Sequence, residues 1–548
     1  MTEQDLVWMV ACTNGKFKGH GSGGVVSWKG IPYSVQPSSK DHPRFSAAKL
    51  PGSDTADIIH DASDFGKACL QPGNEFASQG DDCLTLSVYR CFDGLRSADR
   101  PVLVYIHGGG WSTGSHADPL YDGSNFVRNN KDIVLVCINY RFGVQGLVNL
   151  DSLKGGEDYH FAKNNGLLDQ RCALQWIQRN IRAFGGNPGN VTICGESAGA
   201  AAVSLQYLIQ QMEKMAAKDA GKNFTPLFHK VISMSGGINQ STSLVESVAL
   251  TNELRKIISP EVESITDLFE DKLRFEDLHA WWSVRNHWLM NYPIRDGSIL
   301  PLDLYSAFDQ YADGETPFLQ GATTNEFAYY KAVVPGQYEE ILKAIYGMVD
   351  TKSDAFRNYV NSLGLENPEE KDIQQELAND YTLRNINYWQ ARALAHHNAA
   401  HNYAYAFDIP YDGRFRQFGA AHGVDLGYLF GFFNNEEYAG TPGQIAFSVK
   451  FQEMIANFCR TGDPSYGWAK YAPNSGGAGL DYPIMHFSKE VEGGEEFFRY
   501  RMTDMFNKRI EAFDVLRKAC SRNLEYIKPW PYFFGPEKEH WPEGKPYL

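Results

Sequence analysis

Val191-Thr192-Ile193-Cys194-Gly195-Glu196-Ser197-Ala198-Gly199-Ala200-Ala201-Ala202-Val203 is the stretch on which the fold turns. It starts as a short β-branched apolar run, passes through two glycines that flank a serine, and opens into an alanine-rich segment reaching Leu208. Short continuous apolar runs read as strands buried on both faces, and alanine is the strongest helix former. The expectation is therefore strand, tight turn, helix, with Ser197 at the apex. Glycines are required where the chain reverses too tightly for side chains, and such a turn pushes the serine oxygen out at the sheet's edge. The positive end of the following helix favours negative charge developing beside that oxygen.

Outward from this stretch, Val102 to Ile106, Ile133 to Tyr140 and Val231 to Met234 have the same continuous apolar character. Between the second of these runs and Val191 lies Gln170 to Phe184, where Leu174, Ile177, Ile181 and Phe184 recur at helical spacing before Gly185-Gly186-Asn187-Pro188 stops the pattern. Strand, helix, strand is the unit of a doubly wound, mostly parallel α/β sheet with helices on both faces. Pro317 to Gly321 and Tyr403 to Asp408 read as later strands, separated by a mostly helical insertion that includes Gln374 to Ala400. The charged segment from about Glu253 to Glu276 reads as solvated helix interrupted near Pro260. No repeat and no Pro- or Ser-rich linker divides the chain, so residues 1–548 are read as a single catalytic domain.

Composition narrows the class of function. A chain of 548 residues, 43% hydrophobic and 21% charged, buries a large core. The net charge of -15, with no basic patch, argues against nucleic acid as a partner. No stretch approaches the roughly 20 apolar residues of a membrane span, and Met1-Thr2-Glu3-Gln4-Asp5 lacks the basic start of an export signal. A cytoplasmic protein is expected, or a secreted one whose signal has been removed. The 9 cysteines form no Cys-x-x-Cys pair, so no metal and no cofactor are expected, and Cys137 and Cys194 read as small core hydrophobes. His397 and His401 share a helical face, but no Glu follows the first, and both read as polar surface.

The chemistry is carried by two segments in order. His107-Gly108-Gly109-Gly110-Trp111 directly follows the run Val102 to Ile106, where glycines let backbone N–H groups approach a substrate closely. Gly109, Gly110 and Ala198 are the expected donors to a developing oxyanion, each worth about 2.7–4 kcal/mol of barrier. With Gly195-Glu196-Ser197-Ala198-Gly199 as nucleophile elbow, the pair predicts an α/β-hydrolase fold and acyl transfer through Ser197.

Further segments extend over nearly the whole chain: Gly30-Ile31-Pro32-Tyr33 with Arg44-Phe45, Asp82-Cys83-Leu84-Thr85-Leu86, Asn139-Tyr140-Arg141, Gly166-Leu167-Leu168-Asp169-Gln170, Phe184-Gly185-Gly186-Asn187-Pro188 and Thr461-Gly462-Asp463-Pro464. Together they resemble the type B carboxylesterase family, relatives of the cholinesterases. The resemblance implies a large, mostly parallel central sheet with helices on both faces and helical insertions over an active-site gorge. In Gly321-Ala322-Thr323-Thr324-Asn325-Glu326 the family's acid falls on Glu326, although Phe327 stands where relatives usually have Gly. In Gly419-Ala420-Ala421-His422-Gly423-Val424-Asp425-Leu426 the base falls on His422. Glu196 and Ser235 match positions that support the site in relatives, with a purely structural role equally open.

Cys69 and Cys83 align with a family disulfide whose loop lies over the gorge entrance; in a reducing cytoplasm they would stay thiols, and a stable bridge would argue for export. That loop is short and holds Asn74, Glu75 and Phe76 but no Trp, so the cation–π contact that cholinesterases use for choline is not expected. The resemblance thus implies a small-molecule ester as partner, with a short to medium acyl group. An amidase or carbamate hydrolase on the same triad remains open. A non-catalytic adhesion protein of the same fold would lack the nucleophile, and Ser197, His422 and Glu326 are all present. Trp111, Trp281, Trp282 and Trp288 read as core or pocket lining. The oligomeric state stays open.

Overall fold

The structure is a computed structural model and describes all residues except 1–7, 38–41, 43, 54–55, 72–75, 93–98, 153–162, 250, 252–291, 334–335, 398–399, 434–435, 437, 474–480, 493–494, 505, 521–525 and 527–548. The solvated helix expected at 253–276, and Trp281, Trp282 and Trp288, lie outside the described residues. The described residues divide into two compact units, one drawn from 1–230 and 241–304, the other from 231–240 and 305–541.

In the first unit the strands lie in the order Gly186–Glu196, Arg100–Ile106, Val134–Ile138, Thr85–Cys91, Val25–Pro32, His20–Ser22. The first three pair in parallel and the rest antiparallel. Val102 to Ile106 and Val134 to Ile138 are buried throughout, as their unbroken apolar character requires, and each such side chain contributes about 1.5–3 kcal/mol by leaving water. The helix expected over Gln170 to Phe184 runs from Asn165 to Asn180 and tightens into a 3-10 turn, Ile181–Phe184, capped by Gly185 at φ 83°. The next strand begins at once, because Gly186 pairs with Arg100; Gly186-Asn187-Pro188 ends the helix by starting a strand rather than a loop. Helix Ala198–Asp219, longer than the alanine-rich run suggested, packs on strands Gly186–Glu196 and Arg100–Ile106.

Register does the positioning. Ile106 pairs with Gly195, so the glycine-rich segment after Ile106 and the elbow after Gly195 leave the sheet at the same edge. That edge, beyond the C-terminal ends of parallel strands, is where open α/β sheets bind ligands.

The second unit carries Val231–Met234, Phe318–Thr323, Asn402–Asp408 and Ile484–Glu492 in parallel, with Glu495–Thr503 antiparallel at the far side. The insertion expected over Gln374 to Ala400 is helix Glu370–Asn379, a π-helical turn Asp380–Arg384, and helix Asn385–His396. Tyr388, Ala391 and Ala395 of the last pack against Ala404 and Ala406 of the neighbouring strand. Among the described residues no helix is long and apolar enough to cross a membrane.

One buried ion pair explains two of the quoted segments. Arg141 donates from Nη2 to Asp169 Oδ1 at 2.6 Å, from Nε to Oδ2 at 2.8 Å and from its backbone N–H to Oδ2 at 3.0 Å, with both side chains 0% exposed. Its remaining Nη1 donates to the Arg44 carbonyl at 2.7 Å. Removing one partner of such a pair leaves a charge stranded in low dielectric. Asp169→Asn is expected to lose about 3–5 kcal/mol of stability, read as a lower urea midpoint at constant slope. An unchanged midpoint would show that water relieves Arg141.

Candidate active site

The elbow is built by steric exclusion. A Cβ on Gly195 would sit 2.2 Å from the Gly199 carbonyl oxygen, and one on Gly199 would sit 2.1 Å from that of Ile106. Only glycine permits both approaches, and between them Ser197 is forced to φ 60°, ψ -122°, a conformation that costs a non-glycine residue about 1–3 kcal/mol. Ser197 closes the first helical turn through its carbonyl, which accepts from Ala201 N–H at 3.0 Å. Ala198, next in the chain and fully buried, opens a 22-residue helix, where geometry provides no intrahelical acceptor for its N–H. Glu196 is buried beside the same turn: its Oε2 lies 3.1 Å from where a Gly108 Cβ would be.

The glycine-rich segment is pinned from below. Gly109 and Gly110 take φ 103° and 60°, while Ser112 and Thr113 N–H both donate to the Gly109 carbonyl at 3.0 Å. His107 stacks on Tyr140 with ring centres 4.6 Å apart, and Tyr140 OH donates to the His107 carbonyl at 2.8 Å. Burial lowers His107 to about 4, so it is a neutral prop at pH 7 and not a base. His116, lowered by burial to about 3, is likewise held between Ser87 and Thr85 hydroxyls. Trp111 is wholly buried, which assigns it to the core. Cys69 and Cys83 form a disulfide, the arrangement that sequence reasoning tied to export, and Gln71 beside it exchanges two hydrogen bonds with Gly114 at 2.7 and 2.8 Å.

The second unit brings Glu326 and His422 together. Phe318–Thr323 pairs in parallel with Asn402–Asp408, and the turns beyond them meet where Asn325 N–H donates to the Ala420 carbonyl at 3.0 Å. His422 Nδ1 lies 2.6 Å from Glu326 Oε2, and Oε1 of the same wholly buried carboxylate accepts Thr323 N–H at 2.8 Å. The carboxylate thus faces His422 with one oxygen and the turn backbone with the other, which holds the imidazole by its Nδ1 edge. The Tyr329 ring meets the His422 ring edge-on at 5.9 Å. Ser235, also in this unit, is fully buried at φ 55° and donates its N–H to the Gly321 carbonyl at 2.7 Å.

The family model for the carboxylesterase family matches residues 8–481, across both units. The chain belongs to the carboxylesterase family. It is 29% identical over 500 residues to a para-nitrobenzyl esterase of Bacillus subtilis (strain 168), covering 84% of this chain and 92% of that protein. It is 28% identical to an acetylcholinesterase of Bungarus fasciatus, covering 81% of this chain and 76% of that one. Among solved structures, a Geobacillus stearothermophilus carboxylesterase superposes with a TM-score of 0.76 at 27% identity, covering 92% of this chain and 99% of the other. These likenesses establish the α/β-hydrolase fold and a carboxylic ester hydrolase.

In this carboxylesterase, Phe327 in place of glycine is absorbed by packing. Its ring lies 4.8 Å from that of Tyr330 and 5.5 Å from that of Tyr338, and its N–H donates to Asn379 Oδ1 at 2.8 Å. His397 is half-buried with Nε2 2.7 Å from the Asp309 carbonyl; among the described residues no group of three His, Cys, Asp or Glu is placed to hold a metal. Asp425 lies in the same segment as His422, and its sequence context assigns it no role. It sits one turn beyond His422, wholly buried, accepting the Tyr405 hydroxyl at 2.8 Å. Its three-residue offset from His422 was the available signal.

Burial pushes the Asp425 carboxyl from 3.8 up to about 7; the Tyr405 hydroxyl opposes this and the Glu326 charge adds to it. Because the folded value is raised, the native state keeps a proton that the unfolded chain releases. That stability is complete below the unfolded value and lost as pH rises through the folded one. Asp425→Asn should therefore gain about 4 kcal/mol relative to wild type between about pH 3 and pH 8, measured by urea unfolding at both. An equal difference at both pH values would mean that Asp425 ionises normally.

Proposed function

We propose that Ser197, His422 and Glu326 act as one triad, with Gly109, Gly110 and Ala198 as oxyanion donors, to hydrolyse carboxylic esters through an acyl-enzyme. The observation that carries the reading is the 2.6 Å contact from His422 Nδ1 to a wholly buried Glu326, which orients the imidazole with Nε2 as base. Family membership and the strained elbow support Ser197 as nucleophile. In the first half-reaction His422 Nε2 takes the Ser197 hydroxyl proton as Oγ attacks the ester carbonyl. The oxyanion that forms faces the three backbone donors, beside the positive end of a 22-residue helix. Collapse of the intermediate breaks the C–O bond, and imidazolium returns the proton to the departing alcohol. Water, deprotonated by the same nitrogen, then attacks the acyl-enzyme; the Ser197 Oγ–acyl bond breaks, the imidazolium returns its proton to Oγ, and the acid leaves. Glu326 stabilises the imidazolium in both halves.

A short to medium acyl group is the proposed substrate class. The loop closed by Cys69 and Cys83 has a sequence separation of 14 and contains no Trp, which supports neither a choline site nor a long lid. A p-nitrophenyl ester series of increasing chain length, run beside matched anilides, tests both parts. Wild type should turn over the shorter esters best and the anilides far more slowly. Ser197→Ala should lose about a millionfold in kcat, and Glu326→Gln about ten thousandfold, with folding intact. Turnover that survives in Ser197→Ala would remove it as nucleophile.

A further inference from the structure

The turn that carries Glu326 is held from behind by a cluster of ions, three of them buried and Glu376 half-buried. Glu376 in helix Glu370–Asn379, Asp380 and Arg384 at the ends of the π-turn, and Arg509 in helix Asn507–Ala519 form one cluster of two guanidinium groups and two carboxylates. Asp380 Oδ2 accepts from Arg509 Nε and from Tyr359 OH, both at 2.7 Å. Arg509 also donates to Glu376. Against the upward push of burial, the two guanidinium groups hold the Glu376 carboxyl down to about 2.

Arg384 differs from Arg509 in what its third nitrogen does. Its Nε donates to Asp380 Oδ1 at 2.8 Å and its Nη2 to Glu376 Oε2 at 2.7 Å. Its Nη1 donates to the Thr324 carbonyl at 2.8 Å, two residues before Glu326. On the other side of Glu326, Phe327 N–H donates to Asn379, the last residue before the π-turn. The acid is therefore flanked by two anchors on one helical segment. Buried ion pairs are weak sources of net stability, and π-turns are costly and concentrate at functional sites, so a role in fixing geometry accounts for both.

We propose that Arg384 is a positioning residue for the triad acid: braced by the Glu376 and Asp380 carboxylates, it holds the Thr324 carbonyl and, with Asn379 on the other side of the turn, fixes Glu326 against His422. The inference rests on the triad reading above. A guanidinium braced by two carboxylates cannot rotate without breaking charge-assisted bonds, so the carbonyl it holds is fixed with it. A carboxylate displaced by about 1 Å would misalign the imidazole and cost up to about a hundredfold in turnover.

The test compares Arg384→Lys with Arg509→Lys on p-nitrophenyl acetate. Both keep the cluster's charge, but lysine at 384 cannot reach both carboxylates and the Thr324 carbonyl, whereas Arg509 does not touch the turn. Arg384→Lys should lower kcat about tenfold to a hundredfold with KM within about twofold; Arg509→Lys should lose similar thermal stability yet keep kcat within about twofold. Equal kcat losses in the two, or none in Arg384→Lys, overturn the proposal. If either fails to fold, Asn379→Ala decides, because it removes the other anchor and strands no charge. A lower kcat at constant KM supports the proposal and an unchanged kcat overturns it. Glu326→Gln is measured alongside: if it is fully active, the triad reading falls and takes this inference with it. An inactive Glu326→Gln beside a fully active Arg384→Lys overturns the inference alone.

Discussion

Gly199 lies so close to the Ile106 carbonyl that no side chain fits between them, and the geometry around Ser197 follows from that contact. It locks the start of helix Ala198–Asp219 against the end of strand Arg100–Ile106. The register Ile106 to Gly195 then brings the glycine-rich segment beside the elbow. The strain at Ser197 is the local cost of this arrangement. It is borne by a helix and strands whose apolar faces are fully buried, a core large enough to hold one residue in an unfavourable well.

Buried charge is used in the same way at two places, to fix backbone where strands end. Arg141 and Asp169 tie the segment after strand Val134–Ile138 to helix Asn165–Asn180, and Arg141 reaches on to the Arg44 carbonyl. Arg384 ties the segment after strand Phe318–Thr323 to a helical insertion. In each case a guanidinium satisfied by carboxylates donates a further bond to a main-chain carbonyl. Arginine suits this because its planar fork meets several acceptors at fixed angles, which a lysine ammonium on a flexible stem does not. Neutral buried groups complete the frame: His107 and His116, lowered by burial, add hydrogen bonds and ring contacts without adding charge.

Much of this was legible in the sequence because its causes are local. The strands with unbroken apolar runs, the Gly185 helix stop, the glycines around Ser197 and those after His107 each answer a steric or burial demand met within a few residues. The order of serine, acid and histidine followed from motif resemblance, and Phe327 was visible as a departure without a visible reason. What stayed hidden were the π-turn at 380–384, the aromatic pocket that accepts Phe327, and the roles of Asp425, Asn379 and Arg384. Apart from the offset of Asp425 from His422, none of these carries a sequence pattern, since a polar or charged residue on a helix reads first as a solvated face.

The sequence by itself determined the kind of elements, the strained serine turn and the family, because periodicity and single-residue steric limits act at short range. Only the tertiary structure decided which distant groups share a bond: His422 with Glu326 across 96 residues, Arg141 with Asp169 across 28, Arg384 with Thr324 across 60. Those pairings depend on strand register and on where buried charges find partners. Both are properties of the packed sheet, in which residues far apart along the chain become neighbours only after the core has formed.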